Sequence, residues 1–242
     1  MAGVPFVGSD ALTLSLSLDK AWTKDFVAAA GVPTPPYRVY GSAGAIDRED
    51  LPGPFPLFVK PRYEGAAKGI TSANRVDDVQ ALFEAVASMT ATYGQDMIVE
   101  PFVSGGGEYT VAIVGHRPPR ALPVLQRAVD AATGIGLHAL DRRGVAHADR
   151  DWRLDGTLDV DLESRLTELA LRVFNKLECR DFARIDFRVD AAGRPWFLEI
   201  NPLPTFDPDG TFAILAELCA TSYPEFLAGV LKEALARIVP GV

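Results

Sequence analysis

The residues best suited to chemistry in this chain lie between Arg184 and Phe206, in the stretch RIDFRVDAAGRPWFLEINPLPTF. Apolar and polar residues alternate along this stretch, as they do in strands whose two faces differ. Four polar side chains share one face: Arg184, Asp186, Glu199 and Asn201. Oxygen ligands of this kind suit Mg²⁺, and a neighbouring arginine suits phosphate. The pattern therefore predicts a site for Mg²⁺ and a polyphosphate, although a solvated polar face with an Arg–Glu cross-strand pair is the commoner meaning of such alternation.

The two strands are joined by Asp190–Gly193, whose composition is typical of a turn. If Asp190 pairs with Gly193, then Asp186 faces Phe197 and Arg184 faces Glu199. Asp186 and Glu199 are then diagonal neighbours, roughly 7–8 Å apart at Cα, which lets one or two ions bridge their carboxylates. The expected apolar face consists of Ala183, Ile185, Phe187 and Val189 on the first strand and Trp196, Leu198 and Ile200 on the second.

Length and composition are those of an ordinary globular chain. Its 242 residues suffice for one large domain or two small ones, and 48% are hydrophobic and 23% charged. No apolar run approaches the ~20 residues of a membrane span, and no signal peptide is visible. The net charge of −8 disfavours nucleic acid as the main partner. Cys179 and Cys219 lack metal-ligand spacing and are expected to be reduced cytosolic thiols.

Helix and strand signals alternate along the chain. A helix is expected from Ser9 or Asp10 toward Ala30, ended by Gly31. A long loop is expected over residues 126–155, where Gly, Arg, Asp and His replace any regular pattern. The other predicted elements are the strands Phe55–Lys60, Met97–Val103, Glu108–Val114 and Ala121–Leu125, and the helices Val76–Tyr93, Leu162–Leu177 and Tyr223–Val239.

Lysine is scarce compared with arginine, so each lysine is worth locating. Lys60 ends an apolar strand, and Lys20 lies in an apolar helical run. Such an amine either extends into solvent or provides a point charge for a phosphate. The loop EGAAKG at 64–69 favours the second interpretation, because its small residues let backbone N–H groups approach an anion.

A third candidate region is Met97–Val103. Its apolar strand and proline could provide an adenine slot beside Glu100, and Glu108 could accept from ribose hydroxyls. Taken alone, each of these acids is more often an ordinary strand-end residue. Neither GxxxxGK[ST] nor GxGxxG follows a strand, which leaves a Walker-type or a Rossmann site unsupported.

In the order of these motifs the chain resembles the ATP-grasp carboxylate–amine ligases, and among them most closely the D-alanine–D-alanine ligases. The matching motifs are Asp19-Lys20, Val59-Lys60-Pro61, EGAAKG, Val99-Glu100, Gly107-Glu108-Tyr109-Thr110-Val111, RIDF and LEINPLP. The resemblance covers nearly the whole chain. It implies an α/β (α+β) fold with a central, mostly antiparallel sheet and a nucleotide cleft between two α/β subdomains. The expected units are 1–36 (a remnant of an N-terminal domain with a connector helix), 37–104 (the small subdomain) and 105–242 (the subdomain with the metal site).

The resemblance also implies roles for single residues. Lys20 and Lys60 would bind the phosphates of ATP, and the loop residues Glu64, Gly65, Ala66 and Ala67 would fold over them. Adenine would lie against Glu100, Pro101, Phe102 and Val103. Glu108 would bind the ribose. Two Mg²⁺ or Mn²⁺ ions would be ligated by Asp186, Glu199 and Asn201. Arg184 would stabilise charge on an acyl phosphate. Such ligases join a small-molecule carboxylate to an amine, are cytoplasmic, bind neither nucleic acid nor membrane, and often form homodimers.

Several departures from the family pattern fall in the amino-acid pocket. Ala66 and Ala67 replace two serines of the loop, Thr205 replaces a glycine after Asn201, and Thr211 is the nearest candidate for a missing serine. The long loop lacks the expected lysine and tyrosines, for which the alternative candidates are Arg127, His138, Arg142, Arg143 and His147. The resemblance also implies that this sequence contains only a remnant of the family's N-terminal domain, with Val4–Ser9 expected to match its last strand and turn.

The positions expected to bind nucleotide and metal match the family pattern, whereas those of the amino-acid pocket differ from it. We therefore expect an ATP-dependent ligase whose substrates are not two D-alanines. The alternative is a degenerate ATP-binding module that does no chemistry. A thioester-forming or carboxylating relative is disfavoured, because no phosphohistidine or biotin–lysine context occurs.

Overall fold

The computed structural model describes residues 4–65, 68–136 and 151–238. Within them the chain forms a four-stranded, a five-stranded and a two-stranded sheet, and the strand pairs in these sheets are antiparallel. Six of the residues named above lie outside the described ranges: Ala66, Ala67, His138, Arg142, Arg143 and His147.

The chain begins with two short helices, so the single helix predicted toward Ala30 was wrong. These are α1 (Ala11–Leu18) and α2 (Lys20–Ala28), capped by Asp10 and Asp19, whose carboxylates accept from backbone N–H groups of the first turn. Asp19 has an extended backbone that interrupts the helix. Its carboxylate is further fixed by the forked guanidinium of Arg62 at 2.9 and 2.7 Å. A single aspartate therefore ends one helix and begins the next.

The four-stranded sheet contains β1 (Arg38–Tyr40), β2 (Leu57–Pro61), β3 (Arg75–Val76) and β4 (Met97–Pro101), in the spatial order β1-β4-β2-β3. The helix α3 (Val79–Tyr93) packs on it, capped by Asp78 and ended by Gly94 at a φ of +61°, which suits glycine. Leu82 and Val86 of this helix are fully buried. They pack against the strand residues Leu57, Val59, Met97 and Val99.

The five-stranded sheet is built on β5 (Gly105–Val114), with β6 (Arg120–Ala121), β7 (Leu125–Arg127), β10 (Phe182–Asp190) and β11 (Pro195–Asn201). Its order is β11-β10-β5-β6, and β7 pairs with the other end of β5. Between β7 and β10 in the chain, β8 (Val129–Asp130) and β9 (Trp152–Arg153) pair with each other. The described part of the loop predicted for 126–155 therefore contains strands, because backbone pairing does not require apolar periodicity.

Helices cover both faces of this sheet. One face packs against α4 (Val160–Lys176), and the other against α5 (Thr211–Leu218) and α6 (Tyr223–Ile238). The sequence patterns did not predict α5, which is too short to show a clear period. Among the described residues no single helix is long and apolar enough to span a membrane, and α5 with α6 meets that test only as a pair bent by 100°.

The register predicted for the β10–β11 hairpin was wrong. The N–H of Asp190 pairs with the carbonyl of Arg194, and a β-bulge shifts the pairing by one further residue. Asp186 consequently lies directly opposite Glu199, and Arg184 lies opposite Asn201. The two carboxylates are direct cross-strand neighbours, which brings them closer together than the diagonal arrangement would.

The β-bulge leaves Leu198 without a partner in β10 and changes which side chains of β11 face the core. Phe197 is fully buried and packs edge-on against Phe187, with ring centroids 6.2 Å apart. Leu198 lines the cleft instead. The sequence pattern placed Leu198 on the apolar face and Phe197 on the polar face. That prediction was wrong because strict alternation does not anticipate an inserted residue. The apolar face predicted for β10 is confirmed, since Ala183, Ile185, Phe187 and Val189 all belong to the core.

Candidate active site

A cavity of about 120 Å³ is lined by residues of both larger sheets. Ten of the residues expected to bind nucleotide or metal line it: Lys20, Lys60, Glu64, Glu100, Pro101, Phe102, Val103, Glu108, Asp186 and Glu199. Gly65 and Asn201 line an adjoining cavity of about 420 Å³. The two cavities share Lys20, Glu64 and Glu199. The fold thus brings together motifs that are far apart in the sequence.

Lys60 and Glu100 belong to a buried charge cluster with a third member, Lys24. One carboxylate oxygen of Glu100 lies 2.5 Å from Nζ of Lys60, and the other lies 2.7 Å from Nζ of Lys24. Lys24 also donates to Oγ1 of Thr34 at 2.7 Å, and that hydroxyl donates to the backbone carbonyl of Phe197 at 3.3 Å. This lysine–glutamate cluster (Lys24, Lys60 and Glu100) connects β2 and β4 with α2 and, through Thr34, with β11.

Burial and ion pairing act in opposite directions on this cluster. Burial lowers the pKa of Lys24 to about 8, against the attraction of Glu100. Burial would raise the pKa of Glu100, but Lys24 and Lys60 outweigh it and the pKa is lowered. Because both oxygens of this ionised carboxylate face lysines, an adenine contact here depends on the strand backbone and on Phe102 and Val103.

Lys20 lies where the two cavities meet. Its Nζ donates to the backbone carbonyl of Glu64, at the start of the small-residue loop. Burial lowers the pKa of Lys20, whereas the charge of Glu199 opposes that shift. The carboxylate of Glu64 is in turn held by Lys68 at 2.9 Å. Lys20 therefore joins the loop to the predicted metal-binding face.

Asp186 is fixed at both carboxylate oxygens. Its Oδ2 accepts from Nε and Nη2 of Arg184 at 3.2 and 3.0 Å, and its Oδ1 accepts from the hydroxyl of Thr110 at 2.7 Å. Burial would raise the pKa of Asp186, but Arg184 and Arg127 outweigh burial and the pKa is lowered. Asp186 is therefore an anion at neutral pH, held in one orientation.

Glu199 is the more open of the two carboxylates. Its side chain makes no hydrogen bond or ion pair with the described residues, although its charge acts on Lys20 and on Arg184. Asn201, two residues further on, accepts from the N–H of Leu203 at 3.1 Å through Oδ1. Glu199 is thus the carboxylate of this face that the described residues leave without a hydrogen bond.

The donor set fits a hard cation. Within 4–65, 68–136 and 151–238, no group of three or more His, Cys, Asp or Glu could hold a metal ion. The candidate site instead combines two carboxylates, from Asp186 and Glu199, with the carboxamide of Asn201. Mg²⁺ commonly takes one or two carboxylates and completes its coordination with water and phosphate oxygens, so this set fits it.

The other end of the first cavity is apolar and aromatic. It is lined by Phe58, Ile70, Phe102 and Ile135. The guanidinium of Arg188 lies 4.4 Å from the ring centroid of Phe102 and donates to the backbone carbonyl of Gly134 at 2.8 Å. A slot with flat apolar walls suits an aromatic base.

Glu108 lies between the apolar end and the metal-binding face. Burial raises the pKa of Glu108, although Arg188, with Nη1 3.6 Å from Oε2 of Glu108, opposes the shift. Gly136 passes so close that a Cβ at this position would collide with the Glu108 carboxylate. An alanine at position 136 would therefore displace the carboxylate of Glu108 from its present position.

Comparisons with known proteins agree with this arrangement. Residues 26–232 match the family model described as the D-ala D-ala ligase C-terminus. The chain belongs to the D-alanine–D-alanine ligase family. It is 32% identical over 236 residues to the D-alanine–D-alanine ligase of Marinobacter nauticus, covering 98% of this chain and 69% of that protein. It is 36% identical over 238 residues to the enzyme of Paraburkholderia phytofirmans, covering 96% and 72% of the two chains.

The fold is also that of the D-alanine–D-alanine ligases. The crystal structure of the Bacillus anthracis D-alanine–D-alanine ligase complexed with ATP matches with a TM-score of 0.75 and 22% identity, over 96% of this chain and 71% of that chain. The predicted ATP-grasp fold and the predicted family are confirmed. The residue roles implied by the resemblance stay predictions.

The sequence patterns assigned no role in the site to three residues that the structure places there: Lys24, Thr110 and Arg188. Lys24 had a usable signal, since it follows Lys20 by four residues and one helical turn places both on the same face. Thr110 faces Asp186 across the β5–β10 pair, and Arg188 contacts Phe102 from a distant strand. Those two contacts depend on strand pairing that a single sequence does not specify.

Proposed function

We propose that this chain is an ATP-dependent carboxylate–amine ligase whose reaction passes through an acyl phosphate. The main support is the position of Glu199, an open carboxylate directly opposite Asp186. It lies beside Lys20 where the two cavities meet. A nucleotide in the first cavity would present its terminal phosphate at this point, within reach of an acid bound in the second.

The proposed nucleotide contacts follow the cavity from its apolar end. Adenine lies against Phe58 and Phe102, with hydrogen bonds to the backbone at Glu100–Val103. Glu108 accepts from ribose hydroxyls. Lys20 and Lys60 neutralise phosphate charge, and the small residues of the loop at 64–69 let its backbone approach the phosphates.

The proposed chemistry depends on the metal-binding face. Asp186, Glu199 and Asn201 hold Mg²⁺, which neutralises phosphate charge when bound. Arg184, fixed against Asp186, places its guanidinium beside the reacting group and stabilises the anion that develops there. Arg184→Ala is expected to reduce turnover on the order of 10²–10³-fold, as the loss of such a donor does.

The second cavity is the proposed substrate pocket. Aliphatic side chains form much of its wall, together with one hydroxyl: Leu14, Leu18, Ile200, Pro202, Leu203 and Ser17. These walls suit an apolar part of a carboxylate or amine substrate. Since the departures from the family pattern fall at positions that the resemblance assigns to the amino-acid pocket, we propose substrates other than two D-alanines. We further propose 37–104 and 105–242 as the two subdomains, because each contains one of the larger sheets.

The test measures ATP binding with and without Mg²⁺, followed by ADP release with a panel of D- and L-amino acids and amines. Binding that Mg²⁺ strengthens, with ADP release only when a carboxylate and an amine are both present, would support the ligase. A carboxylate labelled with ¹⁸O should transfer one oxygen to the released phosphate, because attack on ATP makes that oxygen the bridge of the acyl phosphate.

Other outcomes of this test separate the alternatives. Nucleotide binding without turnover in any mixture would indicate a non-catalytic ATP-binding module. D-alanine as clearly the best donor and acceptor would contradict the proposed change of substrate. The matched control is Arg38→Gln, which removes an exposed ion pair with Asp50 and should leave binding and turnover unchanged. Light scattering on the same samples tests the homodimer expected from the resemblance.

A further inference from the structure

Arg127 lies at the centre of a hydrogen-bond chain that ends on the predicted metal ligand Asp186. Its Nε donates to Oγ1 of Thr110 at 3.0 Å, and its Nη2 donates to Oγ1 of Thr211 at 2.7 Å. The hydroxyl of Thr110 in turn donates to Oδ1 of Asp186 at 2.7 Å. Both threonines are buried, exposed by 2% and 6%. The contacts therefore form one connected path from Arg127 to the carboxylate.

The direction of each bond in this path follows from its donors. A guanidinium only donates, so Thr110 must accept from Arg127. Its single hydroxyl proton is then directed to Asp186. Without Arg127 the hydroxyl of Thr110 could rotate toward other acceptors, because nothing would fix its lone pairs. Arg127 thus sets the orientation of the group that fixes Oδ1 of Asp186.

The elements that meet at Arg127 explain why the arrangement is stiff. Arg127 ends the short edge strand β7, and Thr110 lies on β5 directly opposite Asp186 on β10. Thr211 is the first residue of α5. Arg184 holds the other oxygen of Asp186 from the same strand. The carboxylate is consequently fixed from two sides, and Arg127 ties one of those sides to a helix of another layer.

We propose that Arg127 is a positioning residue for the metal site, acting through Thr110 on Asp186; this inference depends on the proposed function. It contacts neither nucleotide nor substrate in this role. Partners that orient a metal-binding carboxylate typically affect metal affinity about 10–100-fold when they are removed. Arg127→Gln is therefore expected to weaken divalent-ion binding, but by less than that factor, because it also removes a positive charge from the surroundings of Asp186.

The experiment titrates Mn²⁺ into the full chain with a non-hydrolysable ATP analogue and follows free Mn²⁺ by electron paramagnetic resonance. Wild type is compared with Arg127→Gln, Thr110→Val, the double variant and Thr110→Ser. We expect Arg127→Gln and Thr110→Val each to weaken Mn²⁺ binding, and the double variant to be no weaker than Thr110→Val alone. Thr110→Ser, which keeps the hydroxyl, should restore binding. Arg38→Gln is the matched arginine control and should bind as wild type does.

The outcomes separate this inference from the proposed function. Unchanged Mn²⁺ affinity in Arg127→Gln overturns the inference while wild-type binding still supports the metal site. Additive losses in the double variant also overturn it, because Arg127 would then act independently of Thr110. Wild type that binds no Mn²⁺ with nucleotide overturns the proposed function and the inference together. If Arg127→Gln does not fold, Thr110→Val and Thr110→Ser decide whether the Thr110 hydroxyl controls Mn²⁺ affinity, and equal affinity in both overturns the inference.

Discussion

In the four-stranded sheet the buried charges beside the cleft are all paired, whereas in the five-stranded sheet one carboxylate is left open. Glu100 contacts Lys24 and Lys60 through its two oxygens, and the three side chains are 8% exposed or less. Asp186 is equally well held, by Arg184 and Thr110. Its neighbour Glu199, however, makes no hydrogen bond with any described residue.

The two sides also differ in the charges that they present to the cleft. On the first side two lysines surround one glutamate and leave a net positive charge. On the second side Arg184 and Arg127 act on Asp186, and the carboxylate of Glu199 is left for a cation. A polyphosphate with a bound cation presents both signs, so the cleft is complementary to it. The paired side fixes one wall of the cleft, and in the proposed function the open side provides a metal ligand.

The largest expected effect comes from removing the open carboxylate. Glu199→Gln should lower Mg²⁺-dependent turnover by about 10³-fold or more, because a bound metal contributes several kcal/mol of charge stabilisation and each 1.4 kcal/mol is tenfold in rate. Its free energy of unfolding should stay close to that of wild type, since no contact is lost. Phosphate release and urea denaturation measure the two quantities. Wild-type turnover in this variant would remove Glu199 from the metal site.

Removing the paired carboxylate, Glu100, should mainly lower the free energy of unfolding. Glu100→Gln leaves two lysines beside a neutral amide in a buried place, and such a change typically costs about 3–5 kcal/mol of stability. Urea denaturation should show this loss, and the control Asp50→Asn, in an exposed ion pair, should lose less than about 1 kcal/mol. A stable Glu100→Gln protein would show that the lysine–glutamate cluster is not a structural unit.

Lys24 makes the paired side sensitive to pH. Its pKa is lowered from 10.5 to about 8, so between these values the unfolded chain binds more protons at this residue than the folded chain. Its contribution to the free energy of unfolding therefore rises with pH across that window, by at most about 1.4 kcal/mol per pH unit. Wild type should gain stability relative to Lys24→Met as the pH is raised from 8 to 10.

Urea denaturation at several pH values checks this difference between the two proteins, in which the titration of groups common to both largely cancels. A stability difference that stays constant from pH 8 to 10 would contradict the lowered pKa. A difference that falls with pH would mean that Glu100 holds Lys24 charged more strongly than burial opposes it.

The smallest expected effect concerns Glu108, which lies between the apolar end of the first cavity and the predicted metal-binding face. Gly136→Ala would push the carboxylate of Glu108 away from the cleft and should weaken ATP binding by about three- to tenfold, or roughly 1 kcal/mol. Isothermal titration measures the affinity. Gly229→Ala, on the exposed side of α6 with open space around its Cβ position, is the matched glycine control for binding. Equal ATP affinities in both variants would show that Glu108 does not contact the nucleotide.

The parts of this site that could be predicted from sequence are those determined by local pattern. Alternation in β10 is strict, so the division between Ile185 in the core and Asp186 in the cleft followed directly. Such features depend on neighbouring residues and on backbone geometry, which a single sequence contains.

The parts that could not be predicted depend on contacts between distant segments. Whether Lys24 is exposed or buried depends on Glu100, which lies on another element. The bulge in β11 depends on how its ends pair with β10, and composition did not indicate it. The break at Asp19 is stabilised by Arg62, more than forty residues away. In each case a residue type was compatible with several roles, and tertiary contacts selected one.

The unpaired position of Leu198 decides which faces of β11 its two neighbours occupy. In a regular strand Phe197 and Glu199, two residues apart, would share one face. The inserted residue lets the ring of Phe197 pack in the core while Glu199 lies opposite Asp186 at the cleft. If Leu198 paired regularly, either the aromatic ring would enter the cleft or the carboxylate would turn into the apolar interior. Deleting Leu198 would instead make Phe197 and Glu199 consecutive and keep them on opposite faces, so this deletion should preserve both the hydrophobic packing and the carboxylate pair.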